Sequence, residues 1–573
     1  LSTRKLLVVF AVSAALCGAV RVAAQTPPTP PPTPPPLATP SPFAQPALTP
    51  VPSGSPGGSP APEESISPAP FGAPSESPLP AAPTPTPTLP PITVNPPNLQ
   101  VPVGTTQSLV VNGALGAISA VAADPSLVDI GINQDTRTIS VVGKAPGSTA
   151  ITITDTRNVS AAVGIRVAYN AGDIPNNIEL RITGDPAGGE YVRSIVVGAI
   201  KRAVHVRPGA QIVVTDDDVN FHGILNQDMV QTLDVPVLLQ GEQYFSVTGS
   251  VRVKVENIAT PRISPDTLMV SDFPERLTEN GTLFATDLRH DVPSRFLYFH
   301  YNPPAQPDRR LVLVAQNQSA EPATLQYISG RGGPTANEAE VGHAATKNFL
   351  VNVVQNQGRL IVIPANTTMN LTSQDLPAGM IVANLLQLRV LDGGDVHLTL
   401  VAQNASDDPD SALTTGALLS STVKHARGIY SIPEFHFATQ WNVNEEYLDL
   451  TIGQIPLPNT MAGEALAGDY GVLQSFVVNV QNPLSTPQSI AIYENPRGGS
   501  ATGTFIIDGV IVQSHRVPAF SRYKVRQYVV PARGFVRVTI VTIPEAGSSY
   551  PLRLEFAPDD GSVAPGAPGS PVY

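Results

Sequence analysis

The sequence predicts a mainly β chain: tandem antiparallel β-sandwich domains plus one small α+β domain, set behind a disordered proline-rich linker. Three observations predict it. The 573 residues include 61 prolines and 45 glycines, which break the chain too often for long helices. Beyond residue 91 it reads as short runs of alternating apolar and polar residues between Asn, Pro and Gly turns. One such pattern then occurs twice in the C-terminal half. With 42% hydrophobic and only 14% charged residues, several cores can be buried.

The first element is a signal peptide over residues 1–24. Arg4 and Lys5 precede an apolar run, and Val22 and Ala24 favour cleavage after Ala24. The single cysteine, Cys17, follows Leu16 where a lipid-attachment site requires a small residue, so a lipoprotein is not expected. The run is too short for a membrane span, and no later segment is apolar enough, so none is expected after cleavage. The mature chain is expected to be extracytoplasmic, in the periplasm, at the cell surface or secreted. It lacks cysteine, so neither disulfides nor thiolate metal sites are available. Removal of Arg4, Lys5 and Arg21 leaves 31 Lys plus Arg against 46 Asp plus Glu, a net charge of −15. Phosphate backbones repel such a chain, so nucleic acid is excluded as a partner.

Residues 25–91 hold 26 prolines in 67 residues and three charges, Glu63, Glu64 and Glu76. Proline removes backbone donors, so the tract reads as extended polyproline-like coil, spanning at most about 200 Å at roughly 3.1 Å per residue. It has no apolar period with which to offset its ordering entropy. Deleting residues 25–91 is therefore expected to leave the thermal unfolding profile of the remaining chain unchanged; a large drop in melting temperature would show that the tract packs onto a domain.

Residues 92–170 read as a small β-sandwich of short alternating strands. Within them "VPVGTTQSL", "ADPSLVDI" and "GKAPGSTAITITD" carry a resemblance: Pro146 and Gly147 make a turn from which Ala150, Ile151 and Ile153 continue into a strand. The segment resembles bacterial group 2 Ig-like domains and, more closely, the N-terminal domain of pilus-assembly secretins. The resemblance covers about 70 residues and implies an Ig-like extracytoplasmic module with nothing catalytic. The rest of the chain has no counterpart of the channel-forming secretin region.

Residues 173–260 change period. "IELRITG" is a strand, and "GGEYVRSIVVGAIKRAV" puts Val192, Ile195, Val196, Ala199, Ile200 and Ala203 on one helical face, with Lys201 and Arg202 near its end. This is expected to be the chain's one sizeable helix, in a small α+β domain. Asp216 to Asp218 with His222 offer metal-ligand types, but adjacent aspartates diverge where a calcium loop needs alternating ligands, and a solvated turn is expected.

The two repeat copies are placed at residues 265–405 and 415–558, followed by a flexible tail over 559–573. "QN" at Asn317 and Asn482 is followed five residues later by Pro322 and Pro487, and "RGG" then comes at Arg331 and Arg497. Pro364 to Pro377 and Pro518 to Pro531 are both thirteen residues apart, and two strands follow each pair. Upstream, "RFLYFHYNPP" is matched to "EYLDLTIGQIP". Asparagine serves to end strands, proline to block edge pairing, and the double glycine to allow turns of positive φ. The segment around His343 is an insertion of about twelve residues in the first copy only.

No catalytic motif stands out: there is no G-x-S-x-G, H-E-x-x-H or G-x-x-x-x-G-K, and none of the nine histidines recurs between copies. An enzyme is not expected, nor a cofactor or metal. The candidate ligand-binding residues are Trp441 and His436 in "PEFHFATQW", the turn-independent Arg331 and Arg497, and His300 and His343. Each also has a plain structural reading, as core strand, sandwich-edge packing or insertion. The functional expectation is an exported, multidomain, non-enzymatic envelope or surface protein with a structural or adhesive role. The alternatives are a carbohydrate-binding protein and an accessory protein of a pilus or secretion system, so the expected partners are envelope polysaccharide or other envelope proteins.

Overall fold

The structure is a computed structural model, and it describes residues 90–412, 416–461 and 463–563. The expected signal peptide, nearly all of the proline-rich linker and the end of the tail lie outside the described residues.

The first sandwich comprises β1 (Thr93–Asn95), β2 (Asn98–Pro102), β3 (Thr106–Asn112), β4 (Ile118–Ala122), β5 (Val128–Asn133), β6 (Thr138–Gly143), β7 (Gly147–Asp155) and β8 (Ser160–Asn170). A sheet ordered β1-β3-β6-β5 faces β8-β7-β4, with β2 parallel to β8. The period-2 pattern decides which side is core: Val163, Ile165 and Val167 of β8 are buried, and the residues between them are exposed. They pack on Val101, Leu109, Ile139, Val141, Ile151 and Ile153.

Next come β9 (Gly172–Asp173), β10 (Asn177–Thr183), β11 (Ala187–Gly188), α1 (Gly189–Ala203), β12 (His205–Val206), β13 (Gln211–Val213), β14 (Ile224–Leu225), β15 (Val230–Gln240), β16 (Tyr244–Phe245) and β17 (Val247–Asn257). β10 runs parallel to β17, which pairs antiparallel with β15, and α1 covers the sheet with Val192, Val196, Val197, Ala199 and Ile200 buried. Ala203, assigned to the buried face from the sequence, is exposed because α1 ends there. Asp216–Asp218 form a single turn tied by Asp218 accepting from Thr215 N at 2.7 Å.

The repeat region begins with β18 (Thr267–Ser271), β19 (Gly281–Leu288), β20 (Ser294–Tyr301), β21 (Arg309–Asn317), β22 (Ala323–Thr335), α2 (Glu338–Val353), β23 (Gly358–Ile363), β24 (Thr367–Leu376), β25 (Ile381–Asp392) and β26 (Val396–Asn404). After β27 (Arg427–Tyr430) come β28 (Glu434–Asn442), β29 (Leu448–Ile452), β30 (Leu473–Gln481), β31 (Gln488–Pro496), β32 (Ala501–Ile507), β33 (Val510–Val517), β34 (Tyr523–Val530), β35 (Phe535–Thr542) and β36 (Leu552–Pro558). In one sandwich β19-β26-β21-β24 faces β18-β20-β25-β22-β23. In the other, β29-β36-β31-β34 faces β28-β30-β35-β32-β33. Every strand thus has its counterpart ten numbers on. The outer strands agree in direction too, since β18 is parallel to β20 and β28 is parallel to β30.

This equivalence corrects half of the motif alignment. Pro364 and Pro518 follow β23 and β33, and Pro377 and Pro531 follow β24 and β34, so these pairs correspond. The "QN" and "RGG" matches are one strand out of register: Asn317 closes β21 whereas Asn482 follows β30, whose counterpart is β20. Likewise, Arg331 lies within β22 and Arg497 follows β31. The residue equivalent to Asn482 is Asn302. Asn302 donates to Pro307 O and Leu376 O at 2.9 and 3.0 Å, and Asn482 to Thr486 O and Val530 O at 2.8 and 3.1 Å. Asn317 makes the same tie one strand later, to Glu321 O and Ile363 O at 2.8 and 3.1 Å. An asparagine that binds its own turn to the turn facing it is a local device, so its recurrence reports that device and not the strand number.

Two further differences concern packing. The insertion is a sixteen-residue helix, α2, capped by Asn337, and it buries Val341, Ala345, Phe349 and Leu350. Its glycine, threonine and asparagines weaken the helical signal in sequence. The glycines of "SGRGG" seat this helix: a Cβ on Gly330 would lie 2.1 Å from Phe349 N, and one on Gly332 would lie 1.9 Å from Val341 O. The sheets also run on across the expected divisions. β10 pairs with β23 and β27 with β18, giving one ten-stranded sheet in the order β13-β15-β17-β10-β23-β22-β25-β20-β18-β27. The edges at β10 with β23 and at β18 with β27 are thereby occupied by neighbouring elements.

Candidate functional site: the seam between the repeated sandwiches

α2 packs on β22 and β25 of the first repeated sandwich and also lies against β32 of the second. A Cβ at Gly342 would come within 1.6 Å of Ala546 O, so only glycine allows this approach. On the next residue, His343 Nδ1 lies 3.0 Å from Glu545 Oε2, and its Nε2 lies 3.1 Å from Gln513 Oε1. Both ring nitrogens face oxygen acceptors, so the imidazolium is the form that satisfies both. Burial lowers the His343 pKa, but the hydrogen bond and charge of Glu545 outweigh it and hold the pKa above the usual histidine value. Glu545 is fully buried and accepts further hydrogen bonds from Thr504 Oγ1 at 2.7 Å and from Thr502. Across the same seam Arg295 of β20 is fully buried and pairs with Glu434 of β28 at 2.7 Å.

Beside this clasp lies a cleft of about 1130 Å³, lined by Asp272, Glu275, Glu338, His425, Tyr470 and Arg516 among others. His425 Nδ1 is 3.1 Å from Glu275 Oε2 and 3.5 Å from Asp272 Oδ2. Among the described residues, Asp272, Glu275 and His425 are the group whose donor atoms converge enough, all within 4.8 Å, to hold a metal ion. Burial pushes Asp272 up to about 7. Its inner oxygen, Oδ1, has no partner, although 28% of the side chain is accessible. The Asp272 hydrogen bond in turn raises His425. The arrangement can store a proton or bind a cation.

The residues singled out from sequence fall in different places. His300 is fully buried and accepts or donates only to Ser271 Oγ at 3.1 Å and Pro274 O at 2.9 Å; burial lowers it to about 4, so it is a neutral core residue. His343 belongs to the clasp. Trp441 is buried edge-on to Phe556, leaving no face for a sugar. His436 is exposed, 3.4 Å from Glu434, and the accessible ring of its stretch is Phe437, 47% exposed and stacked on Phe476. Arg497 lies over the Phe520 ring at 5.7 Å. Arg331 lines a second cleft, between α1 and α2. The structure therefore does not bring the six together. The cleft residues Asp272, Glu275, Glu338 and His425 were not singled out from sequence; "SDFPE" and "KHAR" carry no motif and are separated by some 150 residues.

Residues 95–168 match the family described as the pilus formation protein N terminal region, in agreement with the resemblance drawn from the sequence. The match spans the first sandwich and leaves the remainder of the chain unassigned. No curated protein matches the chain. Among solved structures, a tri-modular GH5 endo-β-1,4-glucanase from Bacillus licheniformis is similar at 9% identity and a TM-score of 0.12, over 30% of this chain and 39% of that one. Mouse cadherin-23 EC22-24 is similar at 14% identity and a TM-score of 0.12, over 30% and 65%. The SGBP-B of a Bacteroides ovatus mixed-linkage glucan utilization locus is similar at 10% identity and a TM-score of 0.13, over 53% and 72%. This chain thus spans less than two thirds of the first two, and scores this low describe no likeness of whole architecture. No helix among the described residues is long and apolar enough to cross a membrane.

Proposed function

We propose that this chain is a non-catalytic, envelope-associated accessory protein of a pilus or secretion apparatus. The match of residues 95–168 to the pilus formation protein N terminal region carries the reading. That sandwich is tied to the α+β unit: β16 pairs with the end of β8, and Arg166 donates to Glu242 O at 3.1 Å. A partner docked on the first sandwich would therefore be held in a defined relation to the fused frame behind it. The buried positions of His300 and Trp441 favour a scaffold over a catalytic or sugar-stacking role for those residues.

Cells lacking the chain are expected to assemble fewer surface pili or to export less substrate, with recovery on complementation by the intact gene but not by one lacking the first sandwich. Unchanged pilus number and export in the null strain would refute the reading; loss of surface attachment alone would leave the adhesive role in its place.

A further inference from the structure

The second cleft, of about 830 Å³, is formed where α1 and α2 flank β22 and β23. Its walls carry four cations, Arg202, Arg331, Lys347 and Arg359, against two carboxylates, Glu190 and Asp216. Among the described residues none of the four cations forms an ion pair. In a chain of net charge −12 such a gathering is against the average field of the molecule. Loss of hydration, and after it the repulsion of Arg359 and Arg331, pushes Arg202 down to about 10 even though the residue retains exposed surface.

A second observation is independent of charge. Tyr327 of β22 lines the cleft and is only 4% exposed, and its phenol oxygen lies beside Ser329 and Arg331 without a well-formed hydrogen bond to either. The hydroxyl of Tyr191, on the first turn of α1, is buried and unpartnered. Arg359 lies 4.9 Å over the Tyr327 ring, and the charges of Arg331 and Arg359 outweigh burial to lower that phenol's pKa. Buried polar groups without partners are costly, as are unpaired neighbouring cations, and one kind of ligand relieves both.

The geometry points to an anion-binding site in this cleft, for a ligand bearing at least two oxyanion groups, phosphate or carboxylate, as in phosphorylated or uronic-acid saccharides. Guanidinium forks suit such oxygens, and the two phenols supply further donors. The site uses no residue of the first sandwich, so it stands or falls independently of the pilus-accessory reading.

Isothermal titration calorimetry of the full mature chain with pyrophosphate, trigalacturonate and neutral galactotriose tests it. At least one anionic probe is expected to bind, more weakly at higher salt, with no heat from galactotriose. R331Q and R359Q are each expected to weaken binding tenfold or more. K347Q removes one of the four cations that line the cleft and form no ion pair, so its melting temperature is expected not to fall while its affinity does. Binding of pyrophosphate alone identifies phosphate as the ligand group, and binding of trigalacturonate alone a carboxylate sugar. The site is overturned if neither anion binds more tightly than the neutral sugar, or if folded R331Q, R359Q and K347Q bind as the unaltered chain does.

Discussion

Replacing Glu494 with glutamine is expected to raise the unfolding temperature at pH 8 to 9 and to leave it nearly unchanged at pH 5. Glu494 of β31 is fully buried, neither carboxylate oxygen accepts a well-formed hydrogen bond, and burial holds its pKa up to about 8. Ser514, whose hydroxyl points to Gly503 O at 3.5 Å, offsets only part of this. The folded chain keeps a proton that the unfolded chain releases near 4.5, so stability falls as pH rises from about 4.5 to about 8. At roughly 1.4 kcal/mol per pH unit the cumulative loss is on the order of 5 kcal/mol. Asp272, raised to about 7, has the same sign. So does His343, whose raised pKa makes its pairing with Glu545 fully present below about 6.5 and lost as pH climbs through the folded value. Melting curves at half-unit pH steps read the effect. Parallel pH profiles for the unaltered chain and E494Q would show that Glu494 is not the buried acid described.

Arg295→Met is expected to cost about 3 to 5 kcal/mol and to separate the unfolding of the two repeated sandwiches. The Arg295 guanidinium donates to Pro433 O and Glu434 Oε1, both at 2.7 Å, and to Gly471 O at 3.4 Å, all on the far side of the seam. Methionine fills much of the volume but leaves a nearly buried carboxylate and two carbonyls without their donor. A second change, Glu434→Leu, removes the stranded charge, so the double variant should recover a large part of the loss. Calorimetry would then show two transitions in R295M, closer together in the double variant. A single unshifted transition in R295M, or no recovery in the pair, would rule out this ion pair as what couples the sandwiches.

Local periodicity is the part of this fold that is legible along the chain. The alternation in "SAAVGIRVAYN" places Val163, Ile165 and Val167 in a core because successive strand residues face opposite sides. The apolar face of α1 was readable for the same reason at a different period. Pro364 with Pro518 and Pro377 with Pro531 were readable because proline after a strand marks its end in both copies. The match of Asn317 to Asn482 failed on the same local ground: one hydrogen-bonding device serves two successive turns, Asn302 and Asn317, and sequence cannot number the turns.

The sequence by itself determined the β-rich class, the first sandwich and its pilus-formation resemblance, the helix of the α+β unit and the existence of a repeat, since each rests on contacts within a few residues or on spacing along the chain. Only the tertiary structure decided the strand equivalence of the two copies, the helical insertion clasped to the second sandwich, and both clefts. Arg202 meets Arg331 and Arg359 because β10 joins the edge of β23, and Asp272 meets His425 because β27 joins the edge of β18. An edge strand's free hydrogen bonds are much the same whichever strand will take them, so which residues converge was settled by packing between units and left no local trace in the chain.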